Sequence, residues 1–168
     1  MHKFLESHIQ GVGYDDLTEL GQAAKPMAQK IIEVGLTPIS EYYGSEVMLH
    51  YPGLYAGSTD LVCLHNDMET IVDFKQANRP KREEWIEDYK LQCAAYALAH
   101  DYVYKSTIKQ CVIMICTPDL YYQEFKIQDV DLKTYKHKWL KRLDMYHELK
   151  FDEKEQANVR IKPEDFKT

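Results

Sequence analysis

The stretch that decides the fold is residues 57–75, which reads GSTDLVCLHNDMETIVDFK. Apolar residues fill both halves of this stretch, and the Asn-Asp dipeptide between them suits a two-residue hairpin turn. A turn of that length pairs His65 with Met68 and, farther along both strands, Asp60 with Asp73. Their Cβ atoms would lie roughly 4.5–5.5 Å apart. The spacing therefore predicts a β-hairpin that carries two opposed carboxylates.

Two opposed carboxylates destabilise a hairpin unless positive charge intervenes. A divalent cation is one solution, since Mg²⁺ and Mn²⁺ prefer carboxylate and carbonyl oxygens. Side chains alternate along a strand, so Lys75 shares a face with Asp73 while Phe74 points the other way. An ammonium group there could orient a phosphate or an attacking water. The alternative is a surface hairpin in which Lys75 only neutralises Asp73, and spacing alone slightly favours this alternative.

Length and composition limit the classes of protein to consider. A chain of 168 residues, 45% hydrophobic and 29% charged, is typical of one globular domain. No apolar run approaches the roughly 18–20 residues of a membrane helix. The net charge of −6 argues against a protein that only binds phosphate backbones, but not against an enzyme that recruits metal cations. The N-terminal residues lack the apolar segment of a signal peptide, and we expect a cytoplasmic location, or the host cytoplasm if the protein is viral.

The four cysteines do not form a metal-binding pattern. No C-x-x-C pair occurs, and the cysteines lie in apolar segments where they act as small buried hydrophobes. We expect free thiols and no Fe–S cluster.

Hydrophobic periodicity predicts the order α, α, β, β, β, α, β, β, α. Helices are expected at 1–10, at 17–35 with a break at Pro26 and a stop at Gly35, at 83–104 and at 132–146. The first strand is expected in two segments, 39–43 and 46–51, and the other strands at 54–65, 68–75, 109–116 and 120–127. Residues 151–168 are charged and aperiodic, which predicts a loosely ordered C-terminal tail. The expected fold class is α/β, with a central mixed sheet flanked by helices on both sides.

These residues together resemble the PD-(D/E)xK nuclease superfamily, in particular its RecB-like exonuclease branch. The resemblance covers roughly residues 2–116 and rests on five features in order: His2-x-x-x-Glu6, Glu46 on the strand before the hairpin, Gly57-x-x-Asp60, Asp73-x-Lys75 and Gln92-x-x-x-Tyr96. Residues 73–81 are similar to exonucleases of marine bacteriophages, and the mitochondrial genome maintenance exonucleases have a similar layout.

The resemblance implies a restriction-endonuclease-like αβββαβ core, with residues 1–150 as the nuclease domain. It implies one or two Mg²⁺ or Mn²⁺ ions held by His2, Asp60, Asp73 and the Phe74 carbonyl oxygen, with Lys75 positioning the attacking water. His2 follows Met1 directly, whereas relatives carry more chain before this helix. We therefore expect either an N-terminal truncation or a short natural form.

The resemblance also implies a DNA substrate. Gln92 and Tyr96 are expected near the substrate, whereas Trp85 and Tyr89 on the same helical face are expected to pack as an aromatic stripe. Further candidates for substrate contact are Glu46 and the basic residues Arg79, Lys81 and Arg82, and exposed tyrosines such as Tyr42, Tyr43 or Tyr55 could stack on unpaired bases.

The implied activity is exonucleolytic hydrolysis of single-stranded or frayed DNA ends that leaves a 5′-phosphate. Two alternatives stay open at this point: a structure-specific or sequence-specific endonuclease on the same core, and a nucleic-acid-binding domain without catalysis.

Overall fold

A computed structural model describes residues 1–51 and 55–160, with side chains described as far as residue 148. The helices are α1 (His2–Gln10), α2 (Glu19–Lys30), α3 (Glu87–Tyr104) and α4 (Asp129–Arg160). A π-helical turn, Ile31–Gly35, extends α2, and a 3₁₀ turn, Glu83–Trp85, precedes α3. The strands are β1 (Ile39–Tyr51), β2 (Tyr55–His65), β3 (Met68–Gln76), β4 (Gln110–Cys116) and β5 (Tyr122–Gln128).

The five strands form one sheet in the order β1-β2-β3-β4-β5. Strands β1, β2 and β3 form an antiparallel meander, β4 runs parallel to β3, and β5 is antiparallel to β4. The parallel pair requires a crossover connection, which α3 provides. The predicted α/β fold with a mixed sheet flanked by helices is confirmed.

The β2–β3 hairpin has the predicted register. Asn66 and Asp67 both have positive φ values, 50° and 62°, as a type I′ turn requires. His65 pairs with Met68, and the ladder continues to the pair Leu61 and Val72. Backbone pairing stops there, one position before Asp60 and Asp73, so the two strands diverge at the candidate site.

Each face of the sheet packs against its own helices. Leu5, Met27 and Ile31 of the N-terminal helical region pack with Phe74 and Met114 on one face. The other face is covered by α3 and α4; its buried cluster includes Ile71, Cys93, Ala97, Ile113 and Leu132. Because side chains alternate along β3, Phe74 lies among the residues of the first face while Asp73 and Lys75 share the other, as predicted. The structure adds that Lys75 contacts α3 on that face.

The predicted helix break at Pro26 is wrong, because α2 runs without interruption from Glu19 to Lys30. Pro26 and Gln22, whose carbonyl loses its amide partner, both lie on the exposed side of the helix, where water can replace the missing bond. The buried residues Ala24, Met27 and Ala28 hold both halves of the helix against the core. Tertiary packing thus outweighs the local preference of proline.

Some predicted boundaries also move. The segments 39–43 and 46–51 form one strand, β1. Its register with β2 shifts between Tyr42 and Gly44, and the strand continues through residues 44 and 45, which separate the two segments. Helix α4 continues to Arg160, past the predicted start of the tail. Leu54 and residues 161–168 lie outside the described residues, and the division into a domain and a tail at residue 150 stays a prediction.

All four cysteines are buried and free. Within residues 1–51 and 55–160, no helix combines the length and the apolar character needed to span a bilayer.

Candidate active site

The site lies where the β2–β3 hairpin opens. The carboxylate of Asp60 accepts a hydrogen bond from the backbone N–H of Phe74, with an Oδ2–N distance of 2.8 Å, just beyond the last backbone pair of the ladder. Asp73 is 4% exposed, and its Oδ2 lies 3.1 Å from Nζ of Lys75. The hairpin therefore brings both acidic residues and the lysine of the predicted motif together.

Helix α1 adds an imidazole to the same place. His2 Nε2–H donates to the carbonyl oxygen of Phe74 across 2.7 Å, and Nε2 lies 3.5 Å from Asp60 Oδ2. The fully buried Leu5, one turn along the helix, holds α1 against the core. The hydrogen bond to Asp60 raises the pKa of His2 above its usual value, although burial opposes the shift.

The two aspartates differ in their protonation. Burial raises the pKa of Asp73 to about 7; Lys75 opposes this shift, and the nearby Asp60 adds to it. Burial also acts against ionisation of Asp60, but hydrogen bonds from His2 and from the Phe74 amide keep the pKa of Asp60 below its usual value. The site therefore holds one firmly ionised carboxylate beside one that binds a proton readily.

Lys75 is fixed by contacts on several sides. Its Nζ donates to Oε1 of Gln92 at 2.9 Å, and Nε2 of Gln92 donates to the Tyr96 hydroxyl at 2.9 Å. Nζ also lies 4.9 Å from the centre of the Tyr89 ring, within range of a cation–π contact. Burial disfavours the charge, but Asp73 raises the pKa of Lys75 above its usual value, so the side chain is an ammonium group.

The donor set at this point fits a hard divalent cation. His2 Nε2 lies 2.7 Å from the Phe74 carbonyl oxygen and 3.5 Å from Asp60 Oδ2, and these atoms would hold Mg²⁺ or Mn²⁺ once Nε2 releases its proton. Asp73 Oδ2 is buried and has no hydrogen bond of good geometry, although Lys75 pairs with it electrostatically. Within the described ranges, no three His, Cys, Asp or Glu side chains are already arranged around a cation position. The backbone carbonyl of Phe74 would therefore be part of any complete set.

Glu46 on β1 lies opposite Asp60 on the neighbouring strand β2. It falls between the pairs Ser45–Leu61 and Val47–Thr59 of β1 and β2 and has a positive φ of 48°. Partial loss of hydration and the nearby carboxylates, Asp60 first among them, raise the pKa of Glu46. The structure thus adds an acidic group at the edge of the site.

The basic residues after β3 lie outside this cluster. Arg79 and Arg82 are exposed, and Arg82 lies 5.2 Å from the Trp85 ring centre. The backbone of Lys81 is fixed by two hydrogen bonds to the Gln123 side chain. In the part of the chain that the structure describes, none of the three forms an ion pair or hydrogen bond with the site carboxylates.

Three aromatic residues differ from expectation. Trp85 is 60% exposed and does not pack in a stripe. Tyr89 contacts the ammonium group of Lys75, a role that its helical position, one turn before Gln92, could have indicated. Tyr55 is half-buried between other rings instead of exposed, because α4 covers it.

Comparisons with known proteins identify the fold. No family model and no curated protein matches this sequence. Among solved structures, a candidate exonuclease from Eubacterium rectale matches with 14% identity and a TM-score of 0.54, over 85% of this chain and 62% of that one. An alkaline exonuclease from Laribacter hongkongensis matches with 15% identity and a TM-score of 0.39, over 92% of this chain and 82% of its own. The complex of that exonuclease with dAMP matches with 17% identity and a TM-score of 0.40, over the same shares of the two chains.

Of these three structures, the Eubacterium rectale protein superposes best on this chain. This chain spans 62% of the length of the Eubacterium rectale protein. The two share a central mixed sheet flanked by helices. By its fold, the chain is similar to that candidate exonuclease.

Proposed function

We propose that this protein is a deoxyribonuclease dependent on Mg²⁺ or Mn²⁺, and that it acts as an exonuclease on single-stranded or frayed DNA ends. The observation that carries the proposal is the convergence of His2, Asp60, Asp73, the Phe74 carbonyl and Lys75 where the hairpin opens. These groups come from helix α1 and from strands β2 and β3 of the hairpin, and α1 is far from the hairpin in the sequence. A hairpin neutralised only at its surface would not need a buried carboxylate or an imidazole from α1.

The residues that would hold the cation are His2, Asp60, Asp73 and the Phe74 carbonyl oxygen. When bound, Mg²⁺ or Mn²⁺ would supply positive charge that stabilises the charge developing on the scissile phosphate. Asp60 is already ionised, whereas Asp73 would release its proton on binding, so binding should strengthen as the pH rises.

Lys75 has a separate role in this proposal. An ammonium group donates hydrogen bonds and cannot be a metal ligand. Held between Asp73 and Gln92, its Nζ is oriented to donate to the attacking water or to a phosphate oxygen. A fixed donor of this kind stabilises the transition state because it need not reorganise during the reaction.

Exonuclease activity is favoured over endonuclease activity by the motif resemblance and by the description of the structural neighbour from Eubacterium rectale. The fold alone is compatible with either, since one fold can serve several functions.

The test is a time course on end-labelled single-stranded and duplex DNA in Mg²⁺, Mn²⁺ or EDTA. We expect cleavage of linear single strands in either metal, none in EDTA, and none by Asp73→Asn. Circular single-stranded DNA should resist the enzyme. Cleavage of the circle would identify an endonuclease instead, and metal-independent binding without cleavage would identify a binding domain.

A further inference from the structure

We propose that a cavity between β2, α3 and α4 binds one unpaired nucleobase of the DNA strand, beside the candidate active site. This inference rests on the proposed function, because it names a subsite for the same substrate. The cavity has a volume of about 390 Å³, and its walls are formed by Tyr55, Ala56, Leu91, Ala95, Tyr96 and Trp139.

The aromatic wall of the cavity is held by ring–ring contacts and a hydrogen bond. The rings of Tyr51 and Tyr55 stack at 5.5 Å with an angle of 5° between their planes, and Trp139 meets Tyr55 edge-on at 5.3 Å. The Tyr55 hydroxyl donates to the carbonyl of Ala95 at 2.8 Å, which fixes the ring against α3. Preformed aromatic surfaces stack on any base, because every base has a π face.

The wall also contains a polar group without a good partner. The Trp139 indole N–H is buried and meets the Tyr55 hydroxyl without forming a well-aligned hydrogen bond. Buried donors are nearly always paired. Because this nitrogen has almost no accessible surface, it is not available to a bound base, and the indole contributes only its ring to the wall.

One side chain connects the cavity with the catalytic groups. Gln92 lines the cavity beside Tyr96, and its Oε1 accepts the hydrogen bond from Lys75 Nζ at 2.9 Å. Gly57 allows Tyr96 to approach β2, because a Cβ there would lie 3.1 Å from the ring. A base in the cavity would therefore be attached to a backbone phosphate close to Lys75.

The opening of the cavity carries both basic and acidic side chains. Arg142 and Asp88 lie at its rim, and an adjoining hollow on the same face of α4 is lined by Lys138, Lys141, Arg142 and Glu87. Arg142 and Lys138 pair with Asp88 and Glu87 through exposed contacts of 3.3 and 3.2 Å, which a phosphate can displace at little cost. The three basic side chains outnumber the two acidic ones here, so in a chain with a net charge of −6 this region offers a small local excess of positive charge to a nucleic acid backbone.

A cavity that encloses a single base favours unpaired strands over a duplex. A base within a duplex presents only its edge, and it must leave the stack before a pocket can enclose it. The cavity thus accounts for a preference for single-stranded or frayed ends.

The first test uses fluorescence. The chain has two tryptophans, so Trp85→Phe leaves Trp139 as the sole reporter. In EDTA, a five-nucleotide oligothymidylate should quench Trp139, whereas an abasic oligonucleotide of equal length should not. Equal quenching by both would overturn the proposal. So would a fluorescence change that depends on protein concentration without DNA, which would assign the cavity to a second copy of the chain.

The second test fills the cavity. Ala56 is exposed at its wall, so Ala56→Leu should fold and should weaken binding of the oligothymidylate about tenfold, while binding of the abasic oligonucleotide stays unchanged. Ala23→Leu is the matched control, because Ala23 is an exposed alanine on α2, away from this cavity.

These outcomes separate the two proposals. If Ala56→Leu binds both oligonucleotides like the unmodified protein, the base site is wrong, although metal-dependent cleavage can still be intact. If base-specific quenching occurs without cleavage in Mg²⁺ or Mn²⁺, the base site holds and the nuclease assignment fails.

Discussion

At the scale of single residues, Lys75 and Asp73 can be separated by experiment. Lys75→Ala should keep Mn²⁺ binding and DNA binding but lose about 100-fold or more in turnover, the scale of removing one electrostatic stabiliser. Single-turnover cleavage and Mn²⁺ titration measure the two effects.

Asp73→Ala is the control, since it should lose metal binding and turnover together. If Lys75 only neutralises Asp73, its removal should cost at most ~1 kcal/mol of stability and leave the cleavage rate near normal. A Lys75→Ala protein that cuts DNA at the unmodified rate would contradict the mechanism.

Asp73 should also impose a pH dependence on stability in EDTA. Its pKa in the folded protein is raised to about 7, so the folded state keeps a proton that the unfolded chain releases near pH 4. Stability from this group is therefore complete at low pH and is lost as the pH rises from about 4 to 7. Relative to Asp73→Asn, the unmodified protein should become less stable over that range in urea titrations. Parallel curves for the two proteins would contradict the raised pKa.

The sequence allowed the residues of the hairpin to be predicted, because turn length alone determines the register that brings Asp60 beside Asp73. The surroundings of Tyr55 could not be predicted in the same way. They depend on Trp139 in α4, and no local pattern links two residues so far apart.

At the scale of elements, His2 is the contact through which α1 reaches the site. His2→Gln can still donate to the Phe74 carbonyl but loses the positive charge beside Asp60, so its thermal stability in EDTA should match that of the unmodified protein at a pH high enough for His2 to be neutral. His2→Ala should lose about 0.5–1.5 kcal/mol, the value of one hydrogen bond. Both variants should bind Mn²⁺ more weakly in calorimetry. Unchanged Mn²⁺ affinity in both would exclude the imidazole as a ligand.

The turn after α2 requires a glycine for close packing. A Cβ at Gly35 would lie 2.7 Å from Sδ of the fully buried Met114 and 2.6 Å from the Tyr122 hydroxyl. Gly35→Ala should therefore destabilise the protein by about 1–3 kcal/mol in urea titrations. Gly13→Ala is the matched control, because nothing lies within 4 Å of its added Cβ. Equal effects of both substitutions would refute the packing argument.

The errors in the predicted elements have a common origin. Local signals are strong at both places. Pro26 predicted a break in α2, and residues 44 and 45 predicted two segments within β1. Buried contacts of Met27 and Ala28 keep the helix continuous, and pairing with β2 keeps the strand continuous. Such contacts come from other parts of the chain, which local patterns do not include.

At the scale of the whole molecule, Mg²⁺ or Mn²⁺ should raise the melting temperature. A ligand that binds only the folded state stabilises it by mass action, by about 2.7 kcal/mol at 100 times its Kd. Thermal melts in millimolar Mn²⁺ and in EDTA measure the shift, and Asp73→Asn should abolish it. An unchanged melting temperature in Mn²⁺ would count against a metal site.

The separation in sequence between His2 and the hairpin has a consequence for the order of assembly. Hairpins close within about 1–10 μs, because their contacts are local, whereas His2 must find a carbonyl 72 positions away. During folding, we therefore expect the two aspartates to come together before the imidazole reaches them. Lys75, on the same strand as Asp73, balances their repulsion from the first moment of pairing. In that order of assembly, Lys75 would be a counter-charge for the folding chain before it has any role toward a substrate.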